Sequence, residues 1–132
     1  MADFVVDPKD PKYLGIPNIN FSLIDDSQDL SKARLRKYQN QRIKRGYDDT
    51  EAWDLGLTVA KFVLPRLKTY KKNSHVFFHE LGEEGTEKLL DHMIEAMKLV
   101  ISRDSRDHDV LADEYMQEGL YLFAKYWVRL WD

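Results

Sequence analysis

The chain has 132 residues, a formal charge of -3, 43% hydrophobic and 12% aromatic residues, and no cysteine. That length suits one domain, and the apolar content supports a core, which excludes global disorder. Lack of cysteine excludes disulfides, thiolate metal sites and cysteine nucleophiles, and no apolar run approaches the roughly 18 residues a membrane-spanning helix needs.

The first stretch, MADFVVDPKDPKYLG, has acids and prolines where a signal peptide has a basic start and an apolar run. It points to a soluble, intracellular protein. Pro8, Pro11 and Pro17 oppose helix and limit strand pairing. Residues 1–27 are therefore expected to form an extended N-terminal arm, in which Ile19, Phe21 and Leu23 of NINFSLID alternate at period two and lie along a core.

The remainder, 28–132, is expected to be one helical domain. A first helix starts near Ser27 or Asp29 and runs to Arg45, with Leu30, Ala33, Leu35, Tyr38 and Ile43 as a thin apolar stripe and Gly46 as its stop. Asp48 and Glu51 have capping-box spacing and open a second helix. Its apolar face is Trp53, Leu57, Ala60, Leu64 and Leu67, and Pro65 should kink it without ending it. Lys71 and Lys72 suit its C-terminus. After the interruption at 70–85, the clearest helix begins near Glu84 or Thr86. Leu89, Met93, Met97 and Val100 alternate there with Leu90, Ile94 and Ile101 as a wide buried stripe. SRDSRDHD (102–109) is a charged loop, and a last helix runs from Val110 onward with many aromatics. Short connections between sequential helices predict an all-α, three- to four-helix antiparallel bundle.

Four groups of residues carry candidate chemistry. From Ser31 to Gly46, seven of sixteen residues are Lys or Arg and none is acidic. Arg34, Lys37, Arg42, Lys44 and Arg45 could bind phosphates, or they could form a solvated face balancing the acidic half. Over 80–118, twelve acids stand against four cations. Those basic residues fall around most of the helix, so some must face away from any one ligand.

His75 and His79 are four apart with Glu80 beside them. No third ligand follows by spacing, and a structural role is favoured over a metal site. His92 is expected in a helix-edge pair with Asp91 or Glu95. Glu84 with Glu87, and Asp104 with Asp107, have the paired-acid spacing that helical nucleotide pyrophosphohydrolases use to hold magnesium. Asp104 and Asp107 fall in a predicted loop, which weakens that set. No nucleophile triad, phosphate-binding glycine loop or dinucleotide fingerprint is present. Lastly, GLYLFAKYWVRLWD (119–132) is mainly core, but its density of amphipathic aromatics suits an interface. Tyr115, Tyr126, Trp127 and Trp131 are the expected contact residues, with Trp127 and Trp131 on one helical face.

RGYDDTEAWDLGLTVAKFVLPRLKTYKK (45–72), LLDHMIEAM (89–97) and GLYLFAKYWVRLWD (119–132) together resemble a group of small uncharacterised proteins encoded by tailed bacteriophages. The resemblance covers about the last two thirds of the chain and leaves out the first 27 residues. It implies an all-helical fold and a phage origin. It transfers no catalytic residue, since the group has no assigned activity.

The expectation that follows is a non-enzymatic helical interaction protein of the host cytoplasm, without cofactor, that self-associates or binds a host protein. The alternative is a nucleic-acid or nucleotide-binding module on the basic helix over 30–46. A further alternative is a magnesium-dependent pyrophosphohydrolase.

Overall fold

The computed structural model describes residues 31–75, 77–103 and 110–131. The expected arm, the segment NINFSLID and most of the charged loop lie outside them. The described chain is all-α, in the order α1 (Lys32–Arg45), α2 (Thr50–Trp53), α3 (Leu55–Asn73), α4 (Gly82–Ser102) and α5 (Val110–Tyr126), followed by a 3-10 turn at Trp127–Arg129. Its contacts divide into two compact units, Met1–Thr58 and Val59–Asp132. The division falls inside α3, whereas a single domain over 28–132 was expected.

In the first unit, α1 is bounded by local chemistry. The Ser31 hydroxyl accepts a hydrogen bond from the Arg34 amide at 3.3 Å, and Gly46 closes the helix in the left-handed region, φ 84°, with its N–H on the Arg42 carbonyl at 2.8 Å. The reversal that follows is organised by Asp48, which is fully buried. One carboxylate oxygen accepts from the Thr50 amide at 2.9 Å and from the Thr50 hydroxyl; the other accepts from Arg42 Nη1. Glu51 accepts from the Asp48 amide at 2.6 Å. Half of the capping box anticipated at Asp48 and Glu51 is therefore present: Glu51 takes the Asp48 amide, but the Asp48 carboxylate takes the Thr50 amide and not that of Glu51, and Asp49 is the residue that precedes α2.

The expected second helix is broken at Asp54, whose φ of -129° and ψ of 80° are not helical. Its carboxylate accepts from the Leu57 amide at 3.1 Å and starts α3 anew. A short acidic side chain bonds nearby backbone more readily than it propagates a helix. The break takes Trp53 out of register with Ala60 and Leu67, so Trp53 is 65% exposed instead of lying in the apolar face. Beyond the break, α3 runs through Pro65 to Asn73.

The core of the second unit joins Ala60 and Leu67 of α3, Phe78 of the connecting turn, Leu89, Leu90, Met93, Ile94 and Met97 of α4, and Tyr126 of α5. The wide stripe on α4 is thus buried as its periodicity predicts. This helix begins at Gly82, ahead of the expected Glu84 or Thr86. Gly82 takes φ 71°, a conformation that strains a residue with a Cβ. Thr86 lies one turn inside, accepting from the Phe78 amide at 2.9 Å and donating to the Gly82 carbonyl at 2.7 Å. The turn is thereby tied to the helix it feeds.

The antiparallel pair α4 and α5 comes close together at Gly119. A Cβ built there would stand 2.5 Å from Ala96 Cβ and 2.9 Å from the His92 carbonyl oxygen. Both obstacles are backbone or attached directly to it, so neither can swing away. Gly119→Ala is expected to destabilise the protein by about 1–3 kcal/mol through overpacking, seen as a lower urea midpoint by circular dichroism; an unchanged midpoint would mean the pair does not close so tightly. Asp48→Ala strips a buried guanidinium of its counter-charge and is expected to cost about 3–5 kcal/mol. The same urea measurement tests it, and a loss below about 1 kcal/mol, the scale of an exposed pair, would contradict a buried ion pair.

Candidate functional site

The five proposed phosphate ligands on α1 divide by facing. Arg42 turns inward, is buried and pairs with Asp48, so it cannot serve as a surface ligand and is removed from the set. Arg34, Lys37, Lys44 and Arg45 are exposed. At 100° per residue they fall in a sector of about 100°, with Gln41 inside it. Of the seven cations of α1, Lys32, Arg36 and Arg42 lie outside this sector, and these four share it.

Asp49 is the carboxylate beside this face. It accepts from Gln41 Nε2 at 2.8 Å and from Arg45 Nη2 at 2.7 Å, and lies 3.8 Å from Lys37 Nζ. The hydrogen bond from Gln41 and then that from Arg45 hold its pKa below the ordinary carboxylate range. Arg45 also lies 4.3 Å over the exposed ring of Tyr47.

The proposed aromatic contact residues also separate. Tyr126 is buried and stacks on Phe78 at 4.9 Å, so it belongs to the core and not to a contact surface. Tyr115 is partly exposed and stacks on His92 at 3.9 Å, while His92 Nε2 lies 2.9 Å from the Tyr115 carbonyl. That contact replaces the expected pairing of His92 with Asp91 or Glu95. Trp127 and Trp131 are 62% and 71% exposed. They do not share a helical face, because α5 ends at Tyr126 and Trp131 lies beyond the 3-10 turn. Val128, 82% exposed, and Tyr121, 64% exposed, were missed. The signal that could have sorted them is the seam Ala112, Met116, Gly119, Phe123 and Tyr126, spaced by threes and fours around the glycine. Tyr121, Trp127 and Val128 fall outside it.

This aromatic end is held in place. Arg129 makes a two-pronged ion pair with Glu80, and its guanidinium carbon lies 4.6 Å and 5.3 Å from the ring centres of Phe78 and Tyr126. Trp131 accepts through its backbone carbonyl from the Tyr70 hydroxyl at 3.3 Å. Trp127 packs on Phe123 at 5.2 Å. The segment after α5 is thus fastened through its backbone, Arg129 and half-buried Leu130, while Trp127, Val128 and Trp131 are directed to solvent.

The remaining candidates do not assemble into a reactive centre. An open cavity of about 480 Å³ beside the end of α3 is lined by Lys71, His75, Phe77, Glu83 and Glu87. Lys71 is already engaged, 2.5 Å from Asp91 and 3.7 Å from Glu87, and the Asp91 hydrogen bond raises its pKa. Glu84 pairs with Lys88 at 3.4 Å. Asp104, Asp107 and His108 lie outside the described residues, among which no three His, Asp or Glu side chains converge as metal ligands. His75 and His79 are exposed, and neither lies in a helix.

The Arg129 pair has a measurable signature. Its hydrogen bonds to Glu80 hold that carboxyl down to about 2, from an ordinary value of 4.5. A depressed folded-state pKa means the pair stabilises above pH 4.5 and is lost as pH falls toward 2. Carboxyl titration by NMR should find the Glu80 midpoint near the lower value and return it toward 4.5 in Arg129→Gln. A normal midpoint in the parent chain would show that the tether does not form.

Comparison of the chain with family models, with curated proteins and with solved structures finds no match.

Proposed function

We propose that this chain is a non-enzymatic helical interaction protein of a tailed bacteriophage, acting in the host cytoplasm by self-association or by holding a host protein. The observation that carries this reading is the fastened display of Trp127, Val128 and Trp131 after α5. Water makes exposed indole and valyl surface unfavourable. Fastening the backbone beneath such side chains also lowers the ordering cost of docking them against another surface. Large amphipathic aromatics with an adjacent arginine are the residue types that anchor protein interfaces. The phage assignment rests on the resemblance at 45–72, 89–97 and 119–132.

Self-association is the form to test first, because it needs only the protein. Light scattering over a dilution series should give a concentration-dependent mass that high salt does not reduce, since the contact is apolar. Trp127→Ala with Trp131→Ala should shift the chain to monomer while leaving its helical circular dichroism unchanged. If the parent chain is monomeric throughout, an immobilised host extract compared between parent and double variant is the remaining test. No protein retained by the parent alone would overturn the reading.

A further inference from the structure

We infer that the outer face of α1, with two flanking aromatics, is a binding site for the backbone of single-stranded nucleic acid. This site lies wholly within Met1–Thr58 and does not depend on the aromatic end of α5.

The face is built from Arg34, Lys37, Lys44 and Arg45, with Gln41 between them. From Arg34 to Arg45 the cations extend about 16 Å along the helix at 1.5 Å per residue. One phosphate group cannot reach both ends of such a stripe, but a chain of phosphates can. Over residues 31–58 seven Lys or Arg stand against four Asp or Glu. One of those acids, Asp48, is buried and consumed by Arg42. Arg42 is buried with it, so the pair removes one charge of each sign and the surplus of three cations is left to the surface.

Two features separate nucleic acid from the other polyanions. First, exposed rings flank the cations. Tyr47 lies under the Arg45 guanidinium, and Trp53 meets the Tyr38 ring edge-on at 6.0 Å. Tyr38 follows Lys37 and lies 20° from Arg45 around the helix, which puts Trp53 at the margin of the basic face. Exposed aromatics beside phosphate-binding cations are the elements on which unpaired bases stack. Second, the face has no large apolar side chain of its own. A helix lying on an anionic membrane needs an apolar side to insert, and here the large apolar side chains of α1, Leu35, Tyr38 and Ile43, are buried or half-buried. An acidic protein partner would lack an apolar centre to seal its interface.

Asp49 modulates the site. Its carboxylate takes the hydrogen bonds of Gln41 and Arg45 that a phosphate would otherwise receive. A bound backbone must compete with it, so this internal anion keeps affinity modest and removes weak monoanions from contention.

The test is fluorescence anisotropy of a labelled single-stranded oligothymidylate with the full chain. Four cations neutralising about four phosphates give a log–log salt slope near -2.8, so a fourfold rise in salt should weaken binding about 50-fold. Lys37→Gln with Lys44→Gln should reduce that slope to about -1.4. Tyr47→Ala with Trp53→Ala should weaken binding roughly tenfold while leaving the slope in place. Asp49→Asn should tighten binding. Circular dichroism on each variant establishes that it is folded. Absence of binding at low salt, or a slope unchanged in the lysine variant, would overturn the site. Equal binding of duplex DNA with no effect of the aromatic variant would overturn the assignment to single strands. Equal binding of polyglutamate or of phosphatidylserine vesicles would overturn the assignment to nucleic acid.

Discussion

The first unit depends on the buried ion pair between Arg42 and Asp48. A guanidinium removed from water is costly unless an opposite charge meets it, and Arg42 meets that charge through Nη1 while its Nε stays buried without a hydrogen-bond partner. Asp48 supplies the charge, and it is oriented by Thr50 through one carboxylate oxygen while the other takes Arg42. Because Asp48 faces in, its neighbour Asp49 can turn out across the Gly46 reversal toward Gln41 and Arg45. One interaction thus sorts two adjacent acids and a run of basic residues into an interior set and a surface set. The surface chemistry of α1 is a consequence of what its core requires.

The second unit is held by a different constraint, the closeness of two backbones. With no side chain at Gly119 and only a methyl at Ala96, α4 and α5 approach until His92 can reach the Tyr115 carbonyl and stack on its ring. Met93 and Met97 lie fully buried along the same side of α4, where their unbranched side chains adapt to an uneven space. Phe78 and Tyr126 close the far end, with Arg129 against both rings. The exposed tryptophans follow from this geometry. Once the seam through Gly119 and Tyr126 is committed to α4, Trp127, Val128 and Trp131 are left exposed among the described residues.

What could be read from the sequence follows the range of the physics involved. The Gly46 stop and the bond from the Asp48 amide to Glu51 are local interactions between residues a few positions apart, and both are present, while the Asp48 carboxylate takes the Thr50 amide in place of that of Glu51. The α4 stripe was legible because seven strongly apolar residues repeat at helical spacing, five of which enter the buried core. Arg42 was not, because its burial depends on an acid six residues away across a reversal, and charge in a sequence carries no direction. Trp53 was misassigned because periodicity was extended through Asp54, where one side-chain cap outweighed helix propagation. Trp127 and Trp131 were assigned a shared face because the sequence contains no strong stop signal after Tyr126. The tether of Arg129 to Glu80 spans 49 residues, so no local pattern announces it.

A chain of net charge -3 with a polyanion site is not a contradiction. At 0.1 M ionic strength exposed charges are screened beyond about 10 Å, so a ligand already at the site responds chiefly to the charges within that distance. From Ser31 to Tyr47 there is no acidic residue, and the described carboxylate that pairs with the exposed cations is Asp49. The overall balance determines solubility and long-range steering, and a negative total slows the approach of a polyanion. The consequence is kinetic. Such a site acquires its ligand slowly and holds it through short-range contacts, which suits a strand already delivered nearby better than one captured from dilute solution.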